Sequence, residues 1–157
     1  MAADLNQVGI LVRREIEARI AGPLIKAFMK ELGDEKALAI VRDVIVHLAQ
    51  ESGELLRAFT GGDSLEDFGK ALPLWSRDDA LQFELLEQTA RKVSLNVTRC
   101  RYAEMYKELG MADLGYVLSC ARDFALVEGF NPKITLTRTQ TIMEGADYCD
   151  FRFEMMD

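Results

Sequence analysis

The side chains able to do chemistry are few: one histidine, His47, three cysteines, Cys100, Cys120 and Cys149, and the carboxylates and arginines near them. Cys120 and Asp123 are three positions apart in a stretch with helical spacing, so their side chains share a face and can reach one pocket. A carboxylate there can orient a base or bind a cationic substrate nitrogen. The alternative is that Cys120 is a small core residue and Asp123 a solvated one. His47 lies beside Val44, Ile45 and Leu48, where a histidine is either a hydrogen-bonded core group or a partner for the cysteines. Next to one cysteine it would form a nucleophile pair, and next to several a metal site. The intervals from His47 through the three cysteines, 53, 20 and 29 residues, match no metal-binding spacing, so such a site depends wholly on the fold. Arg99 and Arg101 flank Cys100, and Arg138 sits among threonines. Each is either a solvated surface charge or the holder of a carboxylate through two parallel hydrogen bonds. No glycine-rich phosphate loop, H-E-x-x-H or G-x-S-x-G pattern is present.

The elements that must position these groups follow from periodicity. Asp4 to Leu32 has apolar residues at helical spacing, interrupted at Gly22-Pro23, which predicts two helices or one sharply kinked helix. Gly33-Asp34 then opens a second helix through Leu56 that carries His47, and Ser64-Leu65-Glu66-Asp67 caps a short helix running to Leu72. From Ala80 the pattern turns to period two, giving two strands joined near Thr89-Ala90. Tyr102 to Leu109 and Asp113 to Glu128 read as a helical pair, closed by Gly129 and stopped by Asn131-Pro132. Lys133 to Ile142 and Tyr148 to Met155 read as a hairpin turning at Glu144 to Asp147, with the threonines at 135, 137, 139 and 141 on an exposed face. Cys149, Phe151 and Phe153 then share the packed face. The fold class is α+β, with N-terminal helices on one face of an antiparallel sheet of about four strands and a helical pair inserted before a C-terminal β-hairpin.

Composition narrows the function classes. The chain has 157 residues, 49% of them apolar, which suits a single domain with one core; residues 1–72 are mainly helical and residues 80–155 mixed. With 26 acidic against 19 basic residues and a net charge of -7, a nucleic-acid partner is disfavoured. No apolar run approaches a membrane span and no signal-like N-terminal pattern is seen, so a cytoplasmic protein with no membrane partner is expected. Three cysteines without a C-x-x-C pair point to reduced thiols.

The second half resembles a known family. Val97-Thr98-Arg99-Cys100-Arg101-Tyr102-Ala103-Glu104-Met105-Tyr106, Gly110, Cys120-Ala121-Arg122-Asp123, Gly129-Phe130-Asn131-Pro132, Thr141-Ile142-Met143-Glu144-Gly145 and Cys149-Asp150-Phe151 occur in an order similar to the L-2-amino-thiazoline-4-carboxylic acid hydrolases. The resemblance covers roughly residues 80 to 155 and places Cys100, Cys120, Asp123, Gly145 and Cys149 on motif positions. It implies hydrolysis of a carbon-nitrogen bond in a small cyclic amidine. On this basis Cys120, Asp123 and His47 are the expected catalytic residues, and Cys100, Arg99, Arg138 and Cys149 the expected substrate-binding ones. Two chemistries stay open: attack by a Cys120 thiolate activated by His47, or by water on a divalent metal such as zinc, although no cofactor is expected. Helices packed on a sheet that ends in a glycine-turn hairpin also look similar to ligand-binding domains of the 4-vinyl reductase type, which would bind without catalysis. A homo-oligomer built on the N-terminal helices is a further alternative.

Overall fold

The computed structural model describes residues 7–157; the part of the expected first helix at residues 4–6 lies outside them. Helix α1 runs Ile10–Leu32 and α2 Asp34–Thr60, joined by Gly33 alone, whose φ of +83° suits a residue without Cβ. Of the two outcomes expected at Gly22-Pro23, separate helices do not occur: Pro23 lies inside one helix. Pro23 is exposed, so its ring lies outside the core, while Gly22 beside it is buried against Met111, where a Cβ would collide with the Met111 sulfur. That packing fixes the helix across a residue that local propensity alone would break.

Two short helices follow, α3 Leu65–Gly69 and α4 Leu72–Ser76. The capping box expected at Ser64 is present, with Asp67 N donating to Ser64 Oγ and Ser64 N to Asp67 Oδ2. Strands β1 Leu81–Gln88 and β2 Lys92–Cys100 form an antiparallel pair turning at 89–91. Helices α5 Arg101–Glu108, α6 Ala112–Gly115 and α7 Arg122–Phe130 come next, with a π-helical turn at Tyr116–Cys120 between the last two. Strands β3 Ile134–Thr137 and β4 Cys149–Met155 complete a four-stranded antiparallel sheet in the order β1-β2-β4-β3. The architecture is α+β as the sequence predicts.

Strand β3 ends five residues sooner than alternation suggests. Beyond Arg138 the amides of Thr139 and Gln140 both donate to Asp150 Oδ1 at 2.9 Å instead of entering a ladder. Thr141, expected on the exposed face, is buried at 2% and caps a single turn at Ile142–Glu144, its Oγ1 accepting from Glu144 N. Gly129 is not a helix stop either. It sits within α7 against α2, where a Cβ would collide with the Gln50 carbonyl, and Gly53 of α2 likewise faces the backbone of Leu126 to Phe130. Glycine at both positions lets the two helices touch backbone to backbone.

The inner face of the sheet, Val93, Leu95, Val97, Leu136 and Phe153, packs on Leu65, Phe68, Val127 and Phe130 from the helices. Phe68 sits at the centre, its ring 5.1 to 5.5 Å from those of Phe130, Phe153 and Trp75. Each such large apolar side chain contributes about 1.5–3 kcal/mol by leaving water. A second core joins α1 to α5 and α6 through Ala18, Ile25, Tyr106 and Leu114, and Cys100 and Ile142 pack against both cores. The opposite faces of α1 and α2 leave apolar side chains exposed, among them Ile16, Ile20, Leu24, Phe28, Val44 and Leu55. Among the described residues no helix is long and apolar enough to cross a membrane.

Candidate functional site

A cavity of about 140 Å³ lies between the inner sheet face and α4, α7 and the start of α1. Its walls are mostly apolar: Phe68, Trp75, Leu95, Val97, Phe151 and Phe153 among them. Cys100, Cys120, Cys149, Asp123 and Arg138 line it together, although 49 residues separate the first cysteine from the last. Each arrives for a local reason. Cys149 begins β4 opposite Val97, and alternation turns it inward; Cys100 ends β2 just beyond a register shift at Thr98, which breaks the alternation so that Cys100 and not Arg99 lines the cavity. Cys120 closes the π turn and Asp123 lies in the first turn of α7. π turns inside helices are frequent at functional sites.

Arg138 organises this polar corner. Its Nη1 donates to Asp123 Oδ2 at 2.5 Å and its Nη2 to the Cys120 carbonyl at 3.0 Å. The guanidinium carbon stands 5.1 Å from the Phe124 ring centre and 5.0 Å from that of Phe151, and the side chain is only 2% exposed. Burial pulls the Arg138 pKa down, but the Asp123 carboxylate outweighs it and the net shift is upward. Asp123 keeps 39% of its side-chain surface accessible, and no described residue hydrogen-bonds its Oδ1. Enclosure by protein raises the Asp123 pKa above the ordinary value, against the pull of Arg138 and Arg122.

The same physics disfavours the thiolate form of the three cysteines. Burial pushes Cys100 up to about 11, and Cys120 and Cys149 also upward, with the nearby Asp123 charge adding to the rise at Cys120. All three are neutral near pH 7, whereas a nucleophilic cysteine needs a lowered pKa. Cys149 Sγ accepts a hydrogen bond from Ile142 N at 3.2 Å, which pins the turn before β4.

His47 is elsewhere. Its side chain is 74% exposed, with Nε2 3.3 Å from Glu51 Oε1 one turn along α2. The helix turns Ala49 and Gly53 inward, and His47 stands roughly 200° around the helix from Ala49. It lines no part of the cavity, so neither the His47-activated thiolate nor a site joining His47 to the cysteines forms. Among the described residues no three His, Cys, Asp or Glu side chains gather as a metal site. Arg99 is also outside the cavity: the register shift at Thr98 turns it away from the face that holds Val97, with Nε 2.9 Å from Glu104 Oε1 and Nη1 3.1 Å from Asp79 Oδ2. Arg101 donates to the Asp78 carbonyl. The two arginines thus latch a turn in which Asp78 and Asp79 have φ of 58° and 59°. Sequence reasoning missed two arginines that do line the cavity, Arg14 and Arg122, along with the Tyr102 ring. Spacing gave no sign of Arg14, more than a hundred residues from Asp123. Arg122, directly before Asp123, was within view.

Comparison with known proteins decides the family. The sequence pattern of the L-2-amino-thiazoline-4-carboxylic acid hydrolase family matches residues 13–153. The chain belongs to this family. The match takes in most of α1 and all of α2 as well as the second half. None of the curated proteins matches significantly. Among solved structures, the phenol-responsive sensory domain of the transcription activator PoxR with phenol is 12% identical over 86% of this chain and 72% of that one, with a TM-score of 0.56. A trafficking protein particle complex subunit 3 from Naegleria fowleri covalently bound to palmitic acid is 10% identical over 93% of this chain and 96% of that one, with a TM-score of 0.57. At these identities the likeness is one of fold.

Proposed function

We propose that the chain is a hydrolase that holds a one-ring cyclic amidine, of the 2-amino-thiazoline-4-carboxylate kind, against Asp123 and adds water at its amidine carbon. The observation that carries this reading is a single carboxylate, with a raised pKa and an oxygen lacking a protein partner, in an otherwise apolar cavity. At about 140 Å³ the space matches one ring, the scale at which an apolar cavity takes up benzene. Asp123 is the base in this account, since a carboxylate of raised pKa accepts a proton more readily than an ordinary one. The amidine carbon, between nitrogen and sulfur, is electrophilic when the amidine is protonated. Water bonds to that carbon while its proton passes to Asp123. The tetrahedral carbon then releases one ring heteroatom, which takes the proton back from Asp123, and the product is the substrate plus one water. Arg138 keeps the carboxylate in place throughout, and the neutral thiols form part of the wall. Incubation of the protein with L-2-amino-thiazoline-4-carboxylate, followed by mass spectrometry, tests the reading through a gain of one water.

A second reading, ligand binding without turnover, is favoured by the neutral thiols and the apolar walls. Both fold neighbours were solved with a bound small molecule, and phenol, the ligand of one, is a single ring. Tight binding of such a ring with no product formed would select this reading.

A further inference from the structure

We propose that Arg122 and Arg14 form an anion subsite at the α1 end of the cavity, which receives the carboxylate of a small one-ring ligand. Three arginines and one aspartate are the charged groups among the described lining residues. Arg138 is committed to Asp123, the Cys120 carbonyl and two aromatic rings. The cavity therefore keeps an excess of positive charge inside a chain whose net charge is -7.

Arg122 is the centre of the argument. It is half-buried in the cavity wall, and no hydrogen bond or ion pair joins its guanidinium to any described residue. A guanidinium carries five N–H donors in a planar fork, and those of Arg122 have no protein acceptor among the described residues and keep access to water, so a ligand can take them. Arg14 lies within its electrostatic reach, and burial together with this like charge lowers the Arg122 pKa. Glu17, Tyr106 and Asp123 are the other ionisable groups acting on Arg122. None of them is bonded to it: Glu17 takes both its hydrogen bonds from Arg14 Nη1, at 2.8 and 2.7 Å. Arg14 Nε and Nη2 are left without acceptors among the described residues. Two guanidinium groups in the wall of one ring-sized cavity, both with unused donors, suit a carboxylate held by paired hydrogen bonds. The inference extends the hydrolase reading by placing the substrate's acidic end, and rests on that reading only for the amidine end at Asp123.

The test is calorimetric titration of the full chain with two acid and amide pairs, 2-amino-thiazoline-4-carboxylate with its carboxamide and benzoate with benzamide. In the unaltered protein we expect at least one acid to bind about tenfold or more tightly than its amide, the scale of a charge-assisted hydrogen bond. Arg122→Gln should erase that preference while leaving amide binding in place, and Arg122→Lys should restore part of it. Arg14→Gln, on a different element, should reduce the preference independently if Arg122→Gln fails to fold. Equal binding of acids and amides, binding of no acid at all, or a preference that survives both Gln variants would overturn the subsite. A benzoate preference without thiazoline hydrolysis would support the subsite and remove the hydrolase reading; hydrolysis with equal affinity for acid and amide would do the reverse.

Discussion

Arg138 and Asp123 form an ion pair in the wall of a ring-sized cavity, with the arginine side chain 2% exposed and the aspartate 39%. The two partners come from different parts of the fold, the residue just after β3 and the first turn of α7, so the pair also ties the sheet's edge to the helix. The asymmetry in exposure decides what each substitution does. Removing the arginine strands a carboxylate that still has some access to water, whereas removing the aspartate strands a guanidinium with almost none.

Arg138→Met should lower stability by about 2–3 kcal/mol, below the usual cost of breaking a fully buried pair because Asp123 is partly solvated. Asp123→Ala should cost at least as much. Urea denaturation of the two single variants and the double variant checks this: the double should cost clearly less than the sum, since neither charge is then left alone. Additive losses would show that the pair is not coupled.

The raised thiol and phenol pKa values predict weakness in alkali. Cys100 is pushed from 9.0 up to about 11, and Tyr102 and Tyr106 from 10.0 up to about 12, all by burial. The unfolded chain therefore ionises first. The stability is fully present below pH 9 and drains away as pH rises through 11, by on the order of 2 kcal/mol for Cys100 alone. Urea midpoints measured from pH 8 to 11 should fall, and Cys100→Ala should flatten the fall between 9 and 11. Iodoacetamide should label the native thiols slowly at pH 7.5; rapid labelling of Cys120 would reinstate it as a nucleophile.

Gly129→Ala should lower stability by about 1–3 kcal/mol, the range for overpacking, because its Cβ would strike the Gln50 backbone, which cannot move as a side-chain tip can. Thermal melting against Gly33→Ala separates the causes: at Gly33 nothing crowds a Cβ and only the positive φ is strained. Equal losses would argue against the contact between α2 and α7.

Much of this was legible beforehand. Period-two alternation located β1, β2 and β4, and the Ser64 capping box fixed the start of α3. Alternation also turned Cys149 inward, and three-residue spacing placed Cys120 and Asp123 on one face. What stayed hidden was decided by distant partners. Pro23 remains helical because Gly22 meets Met111, and Gly129 serves helix contact instead of termination. Threonine-rich β propensity at 139–141 loses to the Asp150 carboxylate and to a local cap. His47 sits among apolar residues because that face of α2 is itself apolar and exposed, a case in which apolar neighbours do not signal a core.

The acid side of turnover reports on Asp123. Since the base must be ionised and its pKa is raised by burial above the ordinary 3.8, the rate should fall on acidification with an apparent pKa above that value. An acid limb at or below the ordinary carboxylate range would place the base elsewhere.

The most direct test of the central claim compares Asp123→Asn with Cys120→Ser in hydrolysis of L-2-amino-thiazoline-4-carboxylate, each variant first shown to be folded by circular dichroism. The account predicts product one water heavier than substrate from the unaltered protein, a loss of about a hundredfold or more in Asp123→Asn, the lower range for a general base, and near-normal turnover in Cys120→Ser. Full activity in Asp123→Asn together with loss in Cys120→Ser would contradict it and return the chemistry to the thiol.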